Sequence, residues 1–356
     1  GIELNGKILG IIGMGNIGAG FAQDAATIYY NPAGMAFITN QINVGMTGLF
    51  PSISFRERST NTITNAVNQM FTPFSFYANA SLTKKLKVGL GIYTPFGSGV
   101  RYPTDWAGRY TLHEIELQTV YFQPSLSLQL GNNFSIGGGF IYSYGNVLLN
   151  KDLPLQSVKN ADVANAELTG EGQGMGYNIG TYFKLGNRFT GGITYHSRVD
   201  MKLEDGDAIF SNIPQALASN FPTQNYFDAE IALPSELALG FSYKISEPVT
   251  IAVDYNRTFW TSYDSLGFDY AVNSSSLSDA KSPRLYENAS CIRVGAQVKA
   301  HRDIDVRGAL FFDETPVQDG YVAPELPDND KIGLSLGATF RIDQRFHIDV
   351  SLLYEN

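Results

Sequence analysis

The sequence has little of several residue types, and each shortage excludes a class of protein. Cys291 is the single cysteine among 356 residues, which excludes a disulfide framework and a cysteine-based metal cluster. Only four histidines are present, so a histidine-rich metal site is not expected. Acidic residues outnumber basic ones by 34 to 25, and the net charge of −9 argues against nucleic-acid binding, which needs a basic surface.

Long hydrophobic runs are also missing. No window of 18 consecutive apolar residues occurs, so a transmembrane helix is not expected. The chain is instead rich in glycine, with 36 residues, and in Tyr and Phe, with 20 and 23, although charged residues make up only 17%. Soluble domains carry about 25% charged residues, so this composition indicates something other than an ordinary soluble domain.

One glycine motif has the spacing of a dinucleotide-binding fingerprint. Gly13, Gly15 and Gly18 follow an apolar run in a G-x-G-x-x-G pattern. A dinucleotide site also needs a helix and then a strand that ends in an acidic residue about 20 positions later. Pro32 interrupts any helix early, and residues 36–40 supply no acid. The sequence therefore favours a closely packed glycine-rich segment, and we expect neither a cofactor nor an enzyme.

Apolar and polar residues alternate from about residue 43 to the last residue. Successive side chains of an extended chain lie on opposite faces, so this pattern predicts strands between an apolar and a polar environment. The apolar side is predicted to hold Ile251, Val253, Ile292, Val294, Leu310, Phe312, Leu334, Leu336, Ile348, Val350 and Leu352. The polar side is predicted to hold Asp254, Arg293, Gln297, Asp305, Arg307, Ser335, Thr339, Arg341 and Asp349.

Short and long connections follow one another strictly along the chain. Tight turns are predicted near residues 83–87, 131–133, 186–188, 246–248, 301–303 and 343–345. Long connections are predicted at 56–71, 97–113, 151–174, 205–226, 264–286 and 314–330. All tight turns then lie at one rim and all long loops at the other, which is the layout of a transmembrane β-barrel. The predicted fold is all-β, an antiparallel barrel over residues 41–356.

The strand count and the first forty residues complete this prediction. Thirteen strands are expected in this sequence, although bacterial single-chain barrels usually have an even number. We therefore expect fourteen strands in the native protein, the last of them absent from this sequence. Residues 1–40 do not alternate and are rich in small residues. They are predicted to form a hatch that plugs the lumen, since a barrel of this size otherwise encloses a channel.

Several segments resemble the FadL/TodX-type outer-membrane transporters. The run GFAQDAATIYYNPAGM at 20–35 is similar to the hatch of that family. Further similarities are TPFG at 94–97, DWAGRY at 105–110, LPSEL at 233–237, ETPV at 314–317 and LPDND at 326–330. The resemblance implies a fourteen-stranded barrel in the cell outer membrane, with Asn31, Pro32 and Ala33 as the hatch motif. It also implies uptake of long-chain fatty acids or aromatic hydrocarbons, with sideways exit near a kink in the third strand.

The third predicted strand contains residues that disturb strand pairing. Pro95 cannot donate to the backbone ladder, and glycines such as Gly97 and Gly99 favour a bulge or bend. These three residues are predicted to form a lateral gate, and by the resemblance Gly97 lies at the kink. The alternative interpretation is that the glycines only end a strand at the rim.

Two of the long connections carry apolar residues that recur at helical spacing. Their residues are Ile63, Val67 and Met70 in the first loop, and Phe210, Ile213, Leu217 and Phe221 in the second. We predict that these loops capture hydrophobic molecules outside the cell. The alternative is that the same residues only pack the loops together.

These observations together predict a passive outer-membrane channel for hydrophobic small molecules. Its expected partners are outer-membrane lipid, lipopolysaccharide and the hydrophobic solute, with no nucleic acid and with the protein as a monomer. Arg293, Arg307 and Arg341 are predicted to face the lumen, where they either meet a carboxylate solute or pair with acids such as Asp305 and Asp349. The alternative function is a FadL-like barrel that does not transport but acts as an interaction partner in an outer-membrane assembly.

Overall fold

The computed structural model describes residues 12–57, 60–155 and 163–356. The first eleven residues of the predicted hatch, two residues of the first long loop and residues 156–162 lie outside this part. One α-helix, α1, spans Thr27–Tyr30, and 3₁₀ helices span Ile12–Met14, Pro32–Phe37, Gln215–Asn220 and Trp260–Ser262. Within the described residues, no helix has the length and apolar character needed to cross a bilayer.

Twenty strands account for most of the described chain. The first ten are β1 (Gln41–Met46), β2 (Ser54–Arg56), β3 (Ile63–Asn65), β4 (Phe74–Ser81), β5 (Leu86–Tyr93), β6 (Gly97–Arg101), β7 (Glu114–Gln129), β8 (Phe134–Asp152), β9 (Asn165–Leu185) and β10 (Phe189–His196). The others are β11 (Val199–Ser211), β12 (Gln224–Leu233), β13 (Glu236–Lys244), β14 (Val249–Thr258), β15 (Ser265–Tyr270), β16 (Ala280–Pro283), β17 (Ala289–His301), β18 (Ile304–Asp313), β19 (Lys331–Arg341) and β20 (His347–Glu355).

Several of these strands are two parts of one path across the sheet. β9 pairs with both β10 and β11, which in turn pair with β13 and β12. The pairs β5/β6, β10/β11, β12/β13, β14/β15 and β16/β17 each follow one path, which gives thirteen antiparallel paths among the described residues. β1 pairs with β4 and β20 pairs with β19, and no pairing of β1 with β20 occurs in the described part. A fourteenth strand stays a prediction.

The predicted alternation is confirmed in β14, β17, β18 and β19, whereas β20 at the end of the sheet is exposed on both faces. Leu310 of β18 is 60% exposed on the outer face, whereas its neighbour on the inner face, Ala309, is 5% exposed. Asp254, Asp305, Ser335 and Thr339 are all buried inside. An apolar exterior around a polar interior is the reverse of a soluble protein, and it is the pattern of a barrel in lipid.

The described part of the N-terminal segment packs against strands from several parts of the sheet. Gly13 lies against Gly337 of β19, and Gly20 lies against Gly240 of β13. On the other side, the 3₁₀ helix Pro32–Phe37 contacts β7, β8 and β9. Strands from distant parts of the chain therefore touch the same short segment, and its role as a plug of the lumen stays a prediction. β1 follows directly after it at Gln41.

Two sequence-based expectations about the long connections were wrong in detail. Strands β8, β9, β11, β12, β15 and β16 continue into residues that were predicted as loops, because the strands extend past the apolar band. The helical stripe through Phe210 is also incorrect: Phe210 lies in β11, and only Gln215–Asn220 forms a 3₁₀ turn. Residues 63–70 contain the short strand β3 rather than a helix.

Candidate functional site

Asn31 fixes the centre of the hatch to the barrel wall. It is fully buried between α1 and the following 3₁₀ helix. Its Nδ2 donates to the carbonyl oxygens of Ala19 at 2.9 Å and Thr181 at 3.0 Å, and its Oδ1 accepts from the Ala33 amide at 3.2 Å. The side chain therefore joins two parts of the hatch to β9 and also caps the 3₁₀ helix.

Pro32 and Ala33 continue the same contact with the wall. Pro32 occupies the first position of the 3₁₀ helix, where its missing N–H costs no hydrogen bond. The carbonyl oxygen of Ala33 accepts hydrogen bonds from Ser127 Oγ at 3.0 Å and Ser135 Oγ at 2.7 Å. A Cβ atom at Gly137 would overlap the backbone of this motif. The three motif residues thus lie together in a niche of the wall, and this niche has room for them because residue 137 is a glycine.

Other strands hold the hatch by its backbone. Asp254 Oδ2 accepts from the amides of Gly18 at 2.7 Å and Ala19 at 2.9 Å. Gln123 Nε2 donates to the carbonyl of Ile28 at 2.7 Å, and His196 Nε2 donates to that of Tyr29 at 2.9 Å. Since these strands surround the lumen, the hatch is bonded on several sides at once.

The glycines of the apparent dinucleotide motif serve close packing. A Cβ atom at Gly13 would lie 2.7 Å from Gly337 Cα, and one at Gly18 would overlap the ring of Tyr30. Gly15 has a φ of +62°, which glycine adopts without strain. The spacing therefore reflects contacts with the barrel interior.

The third strand path is interrupted where the sequence predicts a kink. β5 ends at Tyr93 and β6 begins at Gly97, so Pro95 lies in the interruption. β5 pairs with both β4 and β7, but β6 pairs only with β7 among the described residues. Past Tyr93, the wall between β4 and β6 therefore lacks continuous backbone pairing.

A cavity of about 160 Å³ occupies this break in the wall. Its lining is formed by Phe71, Thr72, Pro73, Phe74, Thr94, Phe96, Gly97, Ser98, Gly99, Leu117, Gln118, Thr119 and Val120. The ring of Phe71 fills the space that a side chain at Gly99 would occupy. Two of the three predicted gate residues thus line the cavity, and Pro95 does not. We call this feature the wall gap.

Aromatic rings connect the hatch to the wall gap. Tyr29 of the hatch packs edge-to-face on Tyr93 with ring centroids 5.2 Å apart. Tyr93 lies 5.8 Å from Tyr121, which lies 6.1 Å from Phe96 on the gap lining. Tyr93 and Tyr121 are buried, so this chain of rings separates the space beside the hatch from the gap.

The structure separates the residues predicted to capture solute into two groups. Ile63, Val67 and Met70 are 54%, 45% and 59% exposed. Phe210 and Phe221 are buried in a cluster against each other, and Ile213 and Leu217 pack against that cluster. The first group presents an apolar surface, whereas the second group packs loops together.

The predicted lumen arginines have partners within the wall. Arg341 pairs with Asp305, and Arg307 Nη1 lies 3.1 Å from Asp349 Oδ1. Arg293 Nη1 donates to Asn256 Oδ1 at 2.7 Å. A passing carboxylate would therefore have to compete with the chain's own acceptors.

Sequence reasoning did not identify Phe71, Ser127 or Ser135. Phe71 stands at the end of a predicted loop, and nothing in its own segment shows that it meets Gly99. The two serines are ordinary polar positions of alternating strands, and nothing in their spacing marks them as partners of residue 33.

Comparison with known proteins establishes the family. The family described as "Outer membrane protein transport protein (OMPP1/FadL/TodX)" matches residues 8–355. The chain belongs to this family. Its members are outer-membrane transport channels, so the chain is a barrel of the outer membrane rather than an enzyme.

Individual relatives agree with this assignment. The long-chain fatty acid transport protein of Escherichia coli O6:H1 is 23% identical over 99% of this chain and 86% of its own length. A Pseudomonas aeruginosa FadL homologue has a similar structure, with a TM-score of 0.80 and 18% identity over 100% of this chain and 90% of that one. The Pseudomonas putida toluene transporter TodX has a TM-score of 0.73 and 17% identity over 99% and 93%.

Proposed function

We propose that this chain carries hydrophobic small molecules passively across the outer membrane and releases them sideways through the wall gap. The cavity between β4 and β6 is the observation that carries the proposal. It lies where backbone pairing stops, and its volume of about 160 Å³ is enclosed mainly by apolar groups. A cavity of about 150 Å³ suffices for a benzene-sized molecule.

Capture begins at the long-loop rim in this proposal. Ile63, Val67 and Met70 form an apolar surface beside the segment that leads to Phe71. Burying a CH₂ group is worth about 0.8 kcal/mol, so a few methylenes in contact with these side chains give transient binding. Weak binding suits a passive channel because it leaves release fast.

The hatch and its aromatic rings control passage to the gap. Tyr29 stands between the lumen and Tyr93, and its backbone carbonyl is held by His196. We infer that a solute moves from the lumen to the gap when Tyr29 shifts with the hatch. No nucleotide motif is needed, since the solute moves down its gradient.

The gap favours an uncharged solute. Its lining contains no Lys, Arg or His, and its polar groups are the hydroxyls of Thr72, Thr94, Ser98 and Thr119, the Gln118 amide and the backbone. A carboxylate would lose water there without gaining a counter-ion. We therefore propose neutral hydrocarbons, or fatty acids in their protonated form, as the solutes that cross the wall. The protein is proposed to act as a monomer, with lipid around its apolar face and lipopolysaccharide around its long loops.

The decisive experiment fills the gap. Gly99→Leu places a side chain in the space of the Phe71 ring, and Gly97→Leu narrows the same cavity. Uptake of a labelled aromatic hydrocarbon and of a labelled long-chain fatty acid by whole cells should fall at least about tenfold. Gly267→Leu is the matched control, since an added Cβ there has no neighbour closer than 3.6 Å. Unchanged uptake by barrels that retain heat-modifiable migration in gels would contradict the lateral route.

A further inference from the structure

The two ends of the barrel differ sharply in charge. The short-turn rim, defined as residues 82–87, 130–134, 184–189, 244–249, 299–304 and 341–347, holds ten Lys and Arg and three Asp and Glu, a net charge of +7. The rest of the chain holds fifteen basic and thirty-one acidic residues, a net charge of −16. The overall charge of −9 is therefore the sum of a basic short-turn rim and an acidic remainder of the chain.

The rim cations are placed by a repeated backbone contact. The amides of Lys184, Lys244, Lys299 and Arg341 donate to the carbonyl oxygens of Asn133, Arg188, Pro248 and Asp303 at 2.8–2.9 Å. The residue two positions before each of these cations faces the lumen and is buried: Tyr182, Ser242, Gln297 and Thr339. Because side chains alternate along a strand, the four cations continue the lumen face to the mouth of the barrel.

Some rim cations already have partners. Lys87 Nζ donates to the Ile38 carbonyl, and Lys184 Nζ lies 4.3 Å from the centre of the Phe37 ring, so both hold the end of the hatch. Lys244 pairs with Glu247 at 2.7 Å, and Arg341 pairs with Asp305. Five exposed cations form no ion pair within the described residues: Lys84, Lys85, Arg188, Lys299 and Arg345.

Glu247 reports the positive field at this rim. It stands in the turn between β13 and β14, outside the membrane-spanning strands. The hydrogen bond from Lys244, with the nearby charges of Lys244, Lys299 and Arg188, lowers the pKa of its carboxyl group. An acidic group at this rim is thus stabilised in its charged form.

The outer surface of the same rim is apolar. Leu82, Leu130, Leu185, Ile245 and Ile342 are between 51% and 65% exposed there. Lipid around the barrel therefore meets hydrocarbon side chains, whereas the cations lie at the turn tips and around the mouth. This placement favours an aqueous partner over lipid headgroups.

We propose that the short-turn rim is a docking surface for the acidic face of a soluble protein on the periplasmic side. Short turns of outer-membrane barrels face the periplasm, and complementary charge steers such an encounter and sets its specificity. The five free cations supply the contact, and the ring around the mouth places the partner over the end of the hatch. This surface is independent of the wall gap, so its test does not depend on transport.

Poly-L-glutamate is a suitable probe for this surface. The full chain in a neutral detergent should bind it, and binding should weaken strongly with salt. The variant Lys85→Gln/Arg188→Gln/Lys299→Gln should bind at least about tenfold more weakly. The matched control Arg56→Gln/Lys202→Gln/Lys281→Gln removes the same charge from exposed positions outside the short-turn rim and should bind as the parent does.

Two results would overturn the proposal. Equal loss of binding in both triple variants would show that only net charge matters. Absence of polyglutamate binding, together with a thermal stabilisation by phosphatidylglycerol micelles that the rim variant alone loses, would assign the rim to lipid headgroups. Heat-modifiable migration of every variant checks that the barrel is folded.

Discussion

The barrel wall meets its interior in two contrasting ways. Where β7, β8, β9 and β10 face the hatch, glycines let the hatch backbone approach, and hydrogen bonds from Asn31, Ser127 and Ser135 fix it. Where the third strand path breaks, Gly99 also leaves a space, but one aromatic ring from Phe71 fills it. We call the first region the hatch seat and compare it with the wall gap.

The difference lies in what must move to open each region. Releasing the hatch seat breaks several buried hydrogen bonds, and each buried polar group left unpaired costs about 1–3 kcal/mol. Displacing Phe71 requires only the rotation of one half-buried side chain. That side chain has no polar group, so its rotation breaks no side-chain hydrogen bond. The comparison indicates a firmly held anchor and an easily displaced ring, which is the arrangement that the proposed lateral route needs.

The largest effect is expected from crowding the hatch seat. In Gly192→Val, the added side chain overlaps the Ala19 carbonyl and the Asn31 amide, so the hatch cannot occupy its place. Overpacking costs about 1–3 kcal/mol, and because two groups are overlapped we expect a loss at the upper end of this range in the free energy of unfolding measured by urea titration in lipid vesicles. Gly308→Val is the control, because its Cβ has no neighbour closer than 3.4 Å. Equal stability of the two variants would refute the tight seat.

The sequence predicted the wall better than the hatch seat. The reason is how far apart along the chain the interacting residues lie. Alternation is local, so inward and outward residues such as Asp305 and Leu310 could be assigned within one strand. The niche around Asn31 is assembled from Gly137, Gly180 and Gly192, which lie more than a hundred residues away. No local pattern shows which of 36 glycines will meet it.

The wall gap was partly predictable for the same reason. Pro95, Gly97 and Gly99 disturb pairing through their own backbone chemistry, so the position of the break followed from them. The contribution of Phe71 could not be predicted in this way, because Phe71 reaches Gly99 from another segment of the chain. The stripe through Phe210 misled for a related reason: spacing of three and four residues fits a helix, but strand pairing with β9 and β12 determined its structure.

A medium effect is expected when the seat loses one side chain. Asn31→Ala removes the three hydrogen bonds of a buried side chain and should weaken hatch closure by ~1–3 kcal/mol. Cys291 lines the space beside the hatch and is 5% exposed, so its labelling by a maleimide reports hatch opening. We expect labelling to become about tenfold faster or more, since ~1.4 kcal/mol changes an opening equilibrium tenfold.

A matched asparagine provides the control for this measurement. Asn225 is also buried and makes three hydrogen bonds, with the Val272 carbonyl and with the amides of Tyr226 and Val272, but it lies away from the hatch. Asn225→Ala should leave the labelling rate of Cys291 unchanged. If both variants accelerate labelling equally, the effect reports general loosening of the barrel, and the special role of Asn31 is lost.

The smallest effect is expected at the wall gap, where opening already requires little. Phe71→Ala vacates the space beside Gly99 and should raise the uptake of bulkier hydrocarbons a few-fold, with barrel stability nearly unchanged. Phe50→Ala is the control, because Phe50 is 77% exposed and is not one of the residues that line the gap. Gly99→Ala alone should reduce uptake, because the Cβ at position 99 overlaps the Phe71 ring. The double variant Phe71→Ala/Gly99→Ala sharpens the comparison: that ring has been removed, so uptake should return. Failure of this rescue would mean that position 99 acts through the strand backbone rather than through the Phe71 ring.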